Sequence, residues 1–462
     1  MINYELLRNL PSVDELLSNK YYEEIKEKYP HNLIADSIRF AITKIREEIK
    51  SGNRNDFSDE DIFKLSDKYI NSKNMSSLKK VINGTGIVLH TNLGRAPINN
   101  ESIIQMASIA GDYNNLEYDI ETGKRGSRYE HTTEIIKEIT GAEDVLIVNN
   151  NAAAVFLILN TLSQNKETIV SRGELVEIGG SFRISSIMEK SGAQMIEIGS
   201  TNRTHLKDYD AAISNDTALI FKVHTSNFKV KGFHSEVTVS ELKNHFKDEY
   251  PIAEDLGSGT IFDLSEFGLS KERTVMDALK EGVDIVCFSG DKILGSVQAG
   301  IIVGKKDIIE KIKENQLLRA FRVDKLVLSA LEKSMMSYRD KNFALKNIPV
   351  LKMISMPLSQ LEIKAENLKN IILEKNPQMK IKIKDFEAPV GGGSYPLDSL
   401  KSKALYFKLD NVNRFEGFLR QSEIPIIGII KDDFYILDLR TIFEKDFETI
   451  ANTITKYFKV IK

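Results

Sequence analysis

A single cysteine, Cys287, is found among the 462 residues of the chain. One cysteine excludes an internal disulfide framework and a zinc site built on thiolates. It lies in the apolar run Asp284-Ile285-Val286-Cys287-Phe288, where packing is the expected role rather than reactivity. Histidine is also scarce: the 7 histidines show no metal-ligand spacing, so no catalytic metal is expected. A surplus of either charge is missing too. Lys and Arg total 63 against 66 Asp and Glu, and the net charge of -3 gives no global attraction to polyanions. Any nucleic-acid contact must then use a local patch. No apolar stretch reaches membrane-spanning length. Met1 to Leu17 mix Glu5, Arg8, Asp14 and Glu15 with apolar positions, so no signal peptide is expected and the chain reads as cytoplasmic. The sequence contains no internal repeat and no low-complexity tract.

What is there divides into three stretches. Residues 1–80 are charge-rich, and Ile34, Ile38, Ala41, Ile42, Ile45 and Ile49 recur at three- and four-residue steps, which predicts a helical N-terminal domain. Ser51-Gly52-Asn53-Arg54-Asn55 breaks that helix, and Ser58 with Asp61 starts the next, so a hinge is expected between residues 51 and 58. Across residues 81–335 short apolar runs alternate with helical stretches: Val145-Leu146-Ile147-Val148, Thr168-Ile169-Val170, Met195 to Ile198, Ala218 to Val223, Pro251-Ile252-Ala253 and Asp284 to Phe288. That alternation predicts a mostly parallel sheet covered by helices on both faces. Residues 336–462 read as a smaller α+β domain, with strands near Ala404-Leu405-Tyr406-Phe407 and Phe434-Tyr435-Ile436-Leu437.

The most informative segment is Ser289-Gly290-Asp291-Lys292, at the end of a buried strand. Burial disfavours an ammonium, and a neutral amine forms a Schiff base with an aldehyde such as that of pyridoxal 5'-phosphate, so Lys292 is the candidate anchor for that cofactor. The segment also fits Ser-x-x-Lys of serine-acylating enzymes, but no Ser-Asp-Asn or Lys-Thr-Gly partner follows. Pyridoxal chemistry needs a carboxylate for the ring nitrogen. Asp255 ends the run Ile252-Ala253-Glu254-Asp255 before Leu256-Gly257-Ser258-Gly259, at a strand's carboxyl edge, where ligands sit in open α/β sheets. Capping of the glycine-rich turn is the competing role for it. The phosphate is expected at Asn151, Ala152 and Ala153, where a strand, a turn and small residues open a helix, with the Ser289 hydroxyl as a further contact. His224, in His224-Thr225-Ser226-Asn227, is either a ligand of the ring or substrate or a satisfied core histidine.

Arginines form three clusters: Arg95 in the glycine-containing stretch Asn83 to Ala96, Arg125 with Arg128 in Gly123 to Tyr129, and Arg319 with Arg322 on one expected helical face. A solvated basic face accounts for any one of them; three together favour an anionic substrate.

Taken together the chain resembles bacterial selenocysteine synthases, the L-seryl-tRNA(Sec) selenium transferases. The resemblance runs through Leu10 to Asp14, Gly84 to Ala96, Glu121 to Tyr129, Ser171 to Gly180, Thr201 to His205, Lys222 to Asn227, Asp255 to Gly259, Ser289 to Lys292, Ile424 to Gly428 and Leu437 to Arg440. It implies the pyridoxal phosphate fold type I, like aspartate aminotransferase, with Lys292 holding the cofactor, Asp291 needed for catalysis and Asp255 on the ring nitrogen. It implies that Arg95, Arg319 and Arg322 bind the selenium-donor anion, selenophosphate. It further implies recognition of selenocysteine tRNA by the N-terminal domain and a homodecamer built as a pentamer of dimers. The implied reaction removes water from L-seryl-tRNA(Sec) through an aminoacrylyl-tRNA and adds selenium to give L-selenocysteinyl-tRNA(Sec). One departure is Gly295-Ser296-Val297-Gln298, where the family usually reads Gly-Gly-Pro-Gln. Loss of the proline is expected to loosen that loop. Two other readings compete: a pyridoxal phosphate lyase acting on a small amino acid or amino sugar phosphate, against which the N-terminal domain argues, and a tRNA-binding protein without catalysis, against which Lys292 and Asp255 argue.

Overall fold

A computed structural model describes residues 4–175, 177–178, 182–224 and 232–461. The chain divides into two compact units, Met1–Lys80 and Val81–Lys462. In the first, the helix His31–Lys50 buries Ile34, Ile38, Ala41, Ile42, Ile45 and Ile49, the face its spacing predicts. These side chains share a core with Leu16, Tyr22 and Ile62, and the Tyr22 hydroxyl meets Ser66 Oγ at 3.0 Å. The helix ends before Ser51, and the next, Asp59–Asn74, starts with a capping box in which Ser58 N–H donates to Asp61 across 3.0 Å.

The second unit is built on seven strands: β1 (Asp144–Val148), β2 (Glu167–Ser171), β3 (Gln194–Ile198), β4 (Thr217–Val223), β5 (Ile252–Gly257), β6 (Ile285–Ser289) and β7 (Gly300–Gly304). Their order in the sheet is β1-β7-β6-β5-β4-β2-β3, and all run parallel except β7, which is antiparallel to both neighbours. The central strands are near-continuous apolar runs because both of their faces are covered. Val145, Ile147, Val286 and Phe288 point into one core, while Leu146, Val148, Ile285 and Cys287 point into the other. The helix Asn151–Ser163 lies in the latter core and buries Ala153, Ala154, Val155, Leu157, Ile158 and Leu159, which explains why it is apolar nearly all round.

Four further strands, β8 (Lys380–Pro389), β9 (Ser399–Lys408), β10 (Ile429–Lys431) and β11 (Phe434–Asp438), make an antiparallel sheet in the order β8-β9-β11-β10. The helices Leu358–Lys375 and Phe447–Ile461 supply Leu361, Leu368, Ile372, Ile450 and Ile454 to a core shared with Phe407, Tyr435 and Leu437. Ile82 joins this core as well, since Ile82–Asn83 pairs in parallel with Ile426–Ile427. Gly84 continues the attachment: its N–H donates to the Ile427 carbonyl at 2.7 Å and its carbonyl accepts from Asp438 N–H at 2.8 Å. The irregular stretch before Arg95 is thus fixed to the C-terminal sheet before it crosses to the large one. Among the described residues no helix is long and apolar enough to cross a membrane.

Candidate active site

Because β1, β4, β5 and β6 point the same way, their carboxyl ends bring Asn149 to Asn151, His224, Asp255 and Ser289 to Lys292 to one edge of the sheet. After Ser289 the chain makes a tight turn. Gly290 N–H donates to the Ala299 carbonyl and Ser296 N–H to the Gly290 carbonyl, both at 2.9 Å, and Ile293 N–H reaches the Ser258 carbonyl at 3.2 Å. Two glycines let these loops interlock: a Cβ on Gly290 would lie 2.5 Å from the Val297 carbonyl oxygen, and one on Gly259, whose φ is +73°, would lie 2.7 Å from that of Ser289. The Lys292 side chain is held in this turn and half-buried. Burial lowers its pKa, the Asp255 carboxylate opposes that shift, and the Arg95 charge reinforces it.

Asp255 is buried at the end of β5, and burial raises its pKa. Its Oδ1 accepts from Asn151 Nδ2 at 2.7 Å and from Gly257 N–H at 2.9 Å, and Lys292 adds a favourable charge. It therefore both caps the glycine-rich turn and faces the lysine. Asn151 opens the helix Asn151–Ser163. The Ala153 N–H is already taken, donating to Asn150 Oδ1 at 2.9 Å, so the expected phosphate cradle narrows to the amides of Asn151 and Ala152 at the open end of the helix.

Arg95 reaches the same edge from the crossing segment. Its Nη1 donates to Asp291 Oδ2 at 2.8 Å, so the residue before the lysine is held by a cation. Gly94 and Arg95 both adopt positive φ, +86° and +58°, and for arginine that conformation costs on the order of 1–3 kcal/mol. Arg95 N–H donates to the His90 carbonyl at 3.0 Å, which holds the turn in that shape.

The remaining expected residues are placed differently. Ser289 is buried at the end of β6, opposite Gly300. His224 is half-buried directly after β4, its N–H donating to the Asp255 carbonyl at 2.8 Å, and Thr225, Ser226 and Asn227 lie outside the described residues. Arg319 and Arg322 do not share a helical face. The helix there is one turn, Leu318–Phe321, and Arg322 follows it in extended backbone because Val148 bridges to it and Asn149 N–H takes the Phe321 carbonyl. Both arginines line a cavity of about 430 Å³ with Arg125, Arg128 and Lys313, facing Glu117 and Glu314. Arg95, Asp291 and Lys292 are not part of that lining, so within one chain the three expected anion-binding arginines fall into two groups.

Two supporting residues escaped the sequence reading. Glu174, buried after β2, accepts from Lys222 Nζ and, at 3.0 Å, from Val223 N–H, which fixes the end of β4 just before His224. The cue was there: Lys222 is a charge inside the run Leu219-Ile220-Phe221-Lys222-Val223. Glu272, also buried, accepts from Thr260 Oγ1 at 3.2 Å and adds negative charge near Lys292; nothing in its local sequence signals it.

The residues at this edge fit pyridoxal phosphate, the cofactor expected from the sequence. The edge offers a half-buried amine, a buried carboxylate and an open helix N-terminus, and beside the carboxylate the buried Oδ1 of Asn151 has no partner among the described residues.

The comparisons agree. A family model described as SelA, L-seryl-tRNA selenium transferase, matches residues 81–443. An L-seryl-tRNA(Sec) selenium transferase of Clostridium botulinum (strain Langeland) is 45% identical over 458 residues, covering 98% of this chain and 99% of its own. One from Clostridium perfringens (strain ATCC 13124) is 46% identical over 454 residues, covering 97% and 98%. Among solved structures, D-glucosaminate-6-phosphate ammonia-lyase superposes with a TM-score of 0.58 at 20% identity, covering 84% of this chain and 98% of that one, which shows a shared fold. The chain is a pyridoxal phosphate-dependent transferase of fold type I, and it belongs to the L-seryl-tRNA selenium transferase family.

Proposed function

We propose that this enzyme converts L-seryl-tRNA(Sec) to L-selenocysteinyl-tRNA(Sec). The observation that carries the reading is the half-buried Lys292 amine near the buried Asp255 carboxylate, in a chain whose relatives are named for that transfer. Bound pyridoxal phosphate supplies an electron sink for the α-carbon of the seryl group. Asp255 would be the carboxylate for its ring nitrogen, Lys292 would anchor it, and Asn151, Ala152 and Ser289 would hold its phosphate. The neutral Lys292 amine would take the α-proton of the seryl group. The β-hydroxyl leaves as water to give an aminoacrylyl-tRNA. Selenium from selenophosphate then bonds the β-carbon, a proton reaches the α-carbon through Lys292, and water cleaves the selenium–phosphorus bond so that phosphate leaves. Asp291 orients Arg95, which holds the donor anion through charge-assisted hydrogen bonds, and Arg319 and Arg322 add positive charge from their own cavity. His224 lies at the same edge to meet the ring or substrate.

Residues 1–80 form the tRNA-recognition domain, 81–335 the catalytic domain and 336–462 the small domain. The assembly is a homodecamer working in the cytoplasm. The test is the absorbance of the cofactor-loaded enzyme with serylated selenocysteine tRNA and, separately, with free serine. A change with the charged tRNA alone supports the proposal. A response to free serine favours the lyase reading, and a response to neither overturns the substrate assignment.

A further inference from the structure

Behind the lysine turn lies a line of three buried hydroxyls that the proposed chemistry does not use. Ser296 Oγ donates to Ser334 Oγ at 2.9 Å, Ser334 and Ser102 are 3.0 Å apart, and Ser102 Oγ donates to the Ala330 carbonyl at 3.1 Å. The three are 1%, 0% and 0% exposed, so water is not an alternative partner. One arrangement satisfies every donor: Ser296 to Ser334, Ser334 to Ser102, Ser102 to the Ala330 carbonyl. A polar chain in an apolar core is favourable only when complete, because a buried hydroxyl without a partner keeps its full desolvation cost.

The ends of this chain belong to the two segments that meet at the site. Ser296 closes the turn that carries Asp291 and Lys292, its N–H donating to the Gly290 carbonyl at 2.9 Å. Ser102 lies in the first turn of the helix Asn100–Gly111, which follows Arg95, and its N–H is capped by Asn99 Oδ1 at 3.0 Å. In front, the segments touch through Arg95 and Asp291; behind, they are joined through Ser334 in the helix Lys325–Met336. A second tie comes from the same region, where the Tyr338 hydroxyl donates to the Leu294 carbonyl at 2.7 Å. Ser296 and Val297 stand where the family resemblance leads to an expectation of Gly-Pro. A proline stiffens a loop through its own ring, whereas here a side-chain hydroxyl reaches across to a helix.

We infer that Ser296 is a positioning residue for Lys292, fixing the lysine turn against the segment that carries Arg95 through the relay Ser296–Ser334–Ser102. The inference rests on the proposed role of Lys292 as the cofactor's anchor. Loss of an end and loss of the middle of a relay have unequal effects. In Ser296→Ala the remaining donors stay satisfied, whereas in Ser334→Ala the Ser296 O–H loses its acceptor inside the core. Removing both hydroxyls discards that orphan, so the double variant is less perturbed than Ser334→Ala alone.

The experiment has two readouts on the full chain. In cofactor-free protein, amide exchange of the segment 289–299 is expected to accelerate about tenfold in Ser334→Ala, less in Ser296→Ala and in the double variant, and to stay near wild type in Ser296→Thr, which keeps the hydroxyl. In loaded enzyme, the pH midpoint of the lysine-bound cofactor's absorbance shifts in Ser334→Ala, with kcat lowered severalfold and the KM for charged tRNA unchanged. Unaltered exchange in 289–299 together with an unaltered midpoint overturns the inference, as does a double variant worse than either single one. Borohydride reduction and peptide mapping of the wild type test the anchor separately: a label on another lysine overturns the anchor role, and the exchange pattern still decides whether the relay holds the turn.

Discussion

The guanidinium of Arg95 donates to the carboxylate of Asp291 across 2.8 Å, and Asp291 is the residue immediately before Lys292. A cation drawn from the crossing segment is thereby fixed near the amine. The pair is half screened on the arginine side, 36% exposed, and well buried on the aspartate side, 13%. Its role is therefore placement more than stability.

Arg95→Gln is expected to raise the KM for selenophosphate about tenfold to a hundredfold, the range for losing a charge-assisted hydrogen bond, and to leave the cofactor's absorbance unchanged. Steady-state kinetics at saturating charged tRNA check this; an unaltered donor KM removes Arg95 from anion binding.

Asp255→Asn keeps the shape of the strand end but removes the negative charge. We expect kcat to fall on the order of a hundredfold or more, while cofactor still binds. Asn151→Ala acts in the same direction and more weakly, about tenfold, because it removes one of the two donors holding Asp255. Single-turnover rates with charged tRNA separate these effects from substrate binding.

The pH dependence of cofactor attachment follows from Lys292. Below its pKa the side chain is an ammonium and unreactive; above it the amine is free to attack. Burial lowers that pKa beneath the usual lysine value, with Asp255 pulling the other way, so attachment should gain rate with rising pH around a midpoint below that of free lysine. Asp255→Ala should move the midpoint lower still. A rate-against-pH profile that moves upward in this variant contradicts the arrangement.

Lys222→Met tests the buried support beneath His224. It leaves the Glu174 carboxylate in the interior with the Val223 N–H but without its cation, at a cost of about 3–5 kcal/mol. Chemical denaturation should show the loss directly, and Lys222→Met combined with Glu174→Gln should recover part of it.

The large sheet was legible because its strands are short and nearly uninterrupted apolar runs, and their ends announce Lys292 and Asp255 by placing a charge where the apolar residues stop. What was not legible are relations across the chain. Asn151 and Asp255 are separated by 104 positions, Ser296 and Ser334 by 38, and nothing local marks either pair. Arg322 was misplaced for a related reason. Helical spacing relative to Arg319 is a local property, and it lost to the pairing of Arg322 with Val148 at the sheet edge. The Ala153 amide was likewise expected at the phosphate, but Asn150 competes for it as a helix cap.

Cys287 lies wholly inside the large sheet, and burial pushes its thiol pKa well up. In the proposed reaction selenophosphate would thus meet no accessible thiol of this chain that could intercept the chalcogen. The same burial makes the chain a ready background for spectroscopy: a cysteine introduced at the surface of the first eighty residues would be the one thiol open to a thiol-directed dye, and its signal would test the proposed recognition of tRNA by that unit.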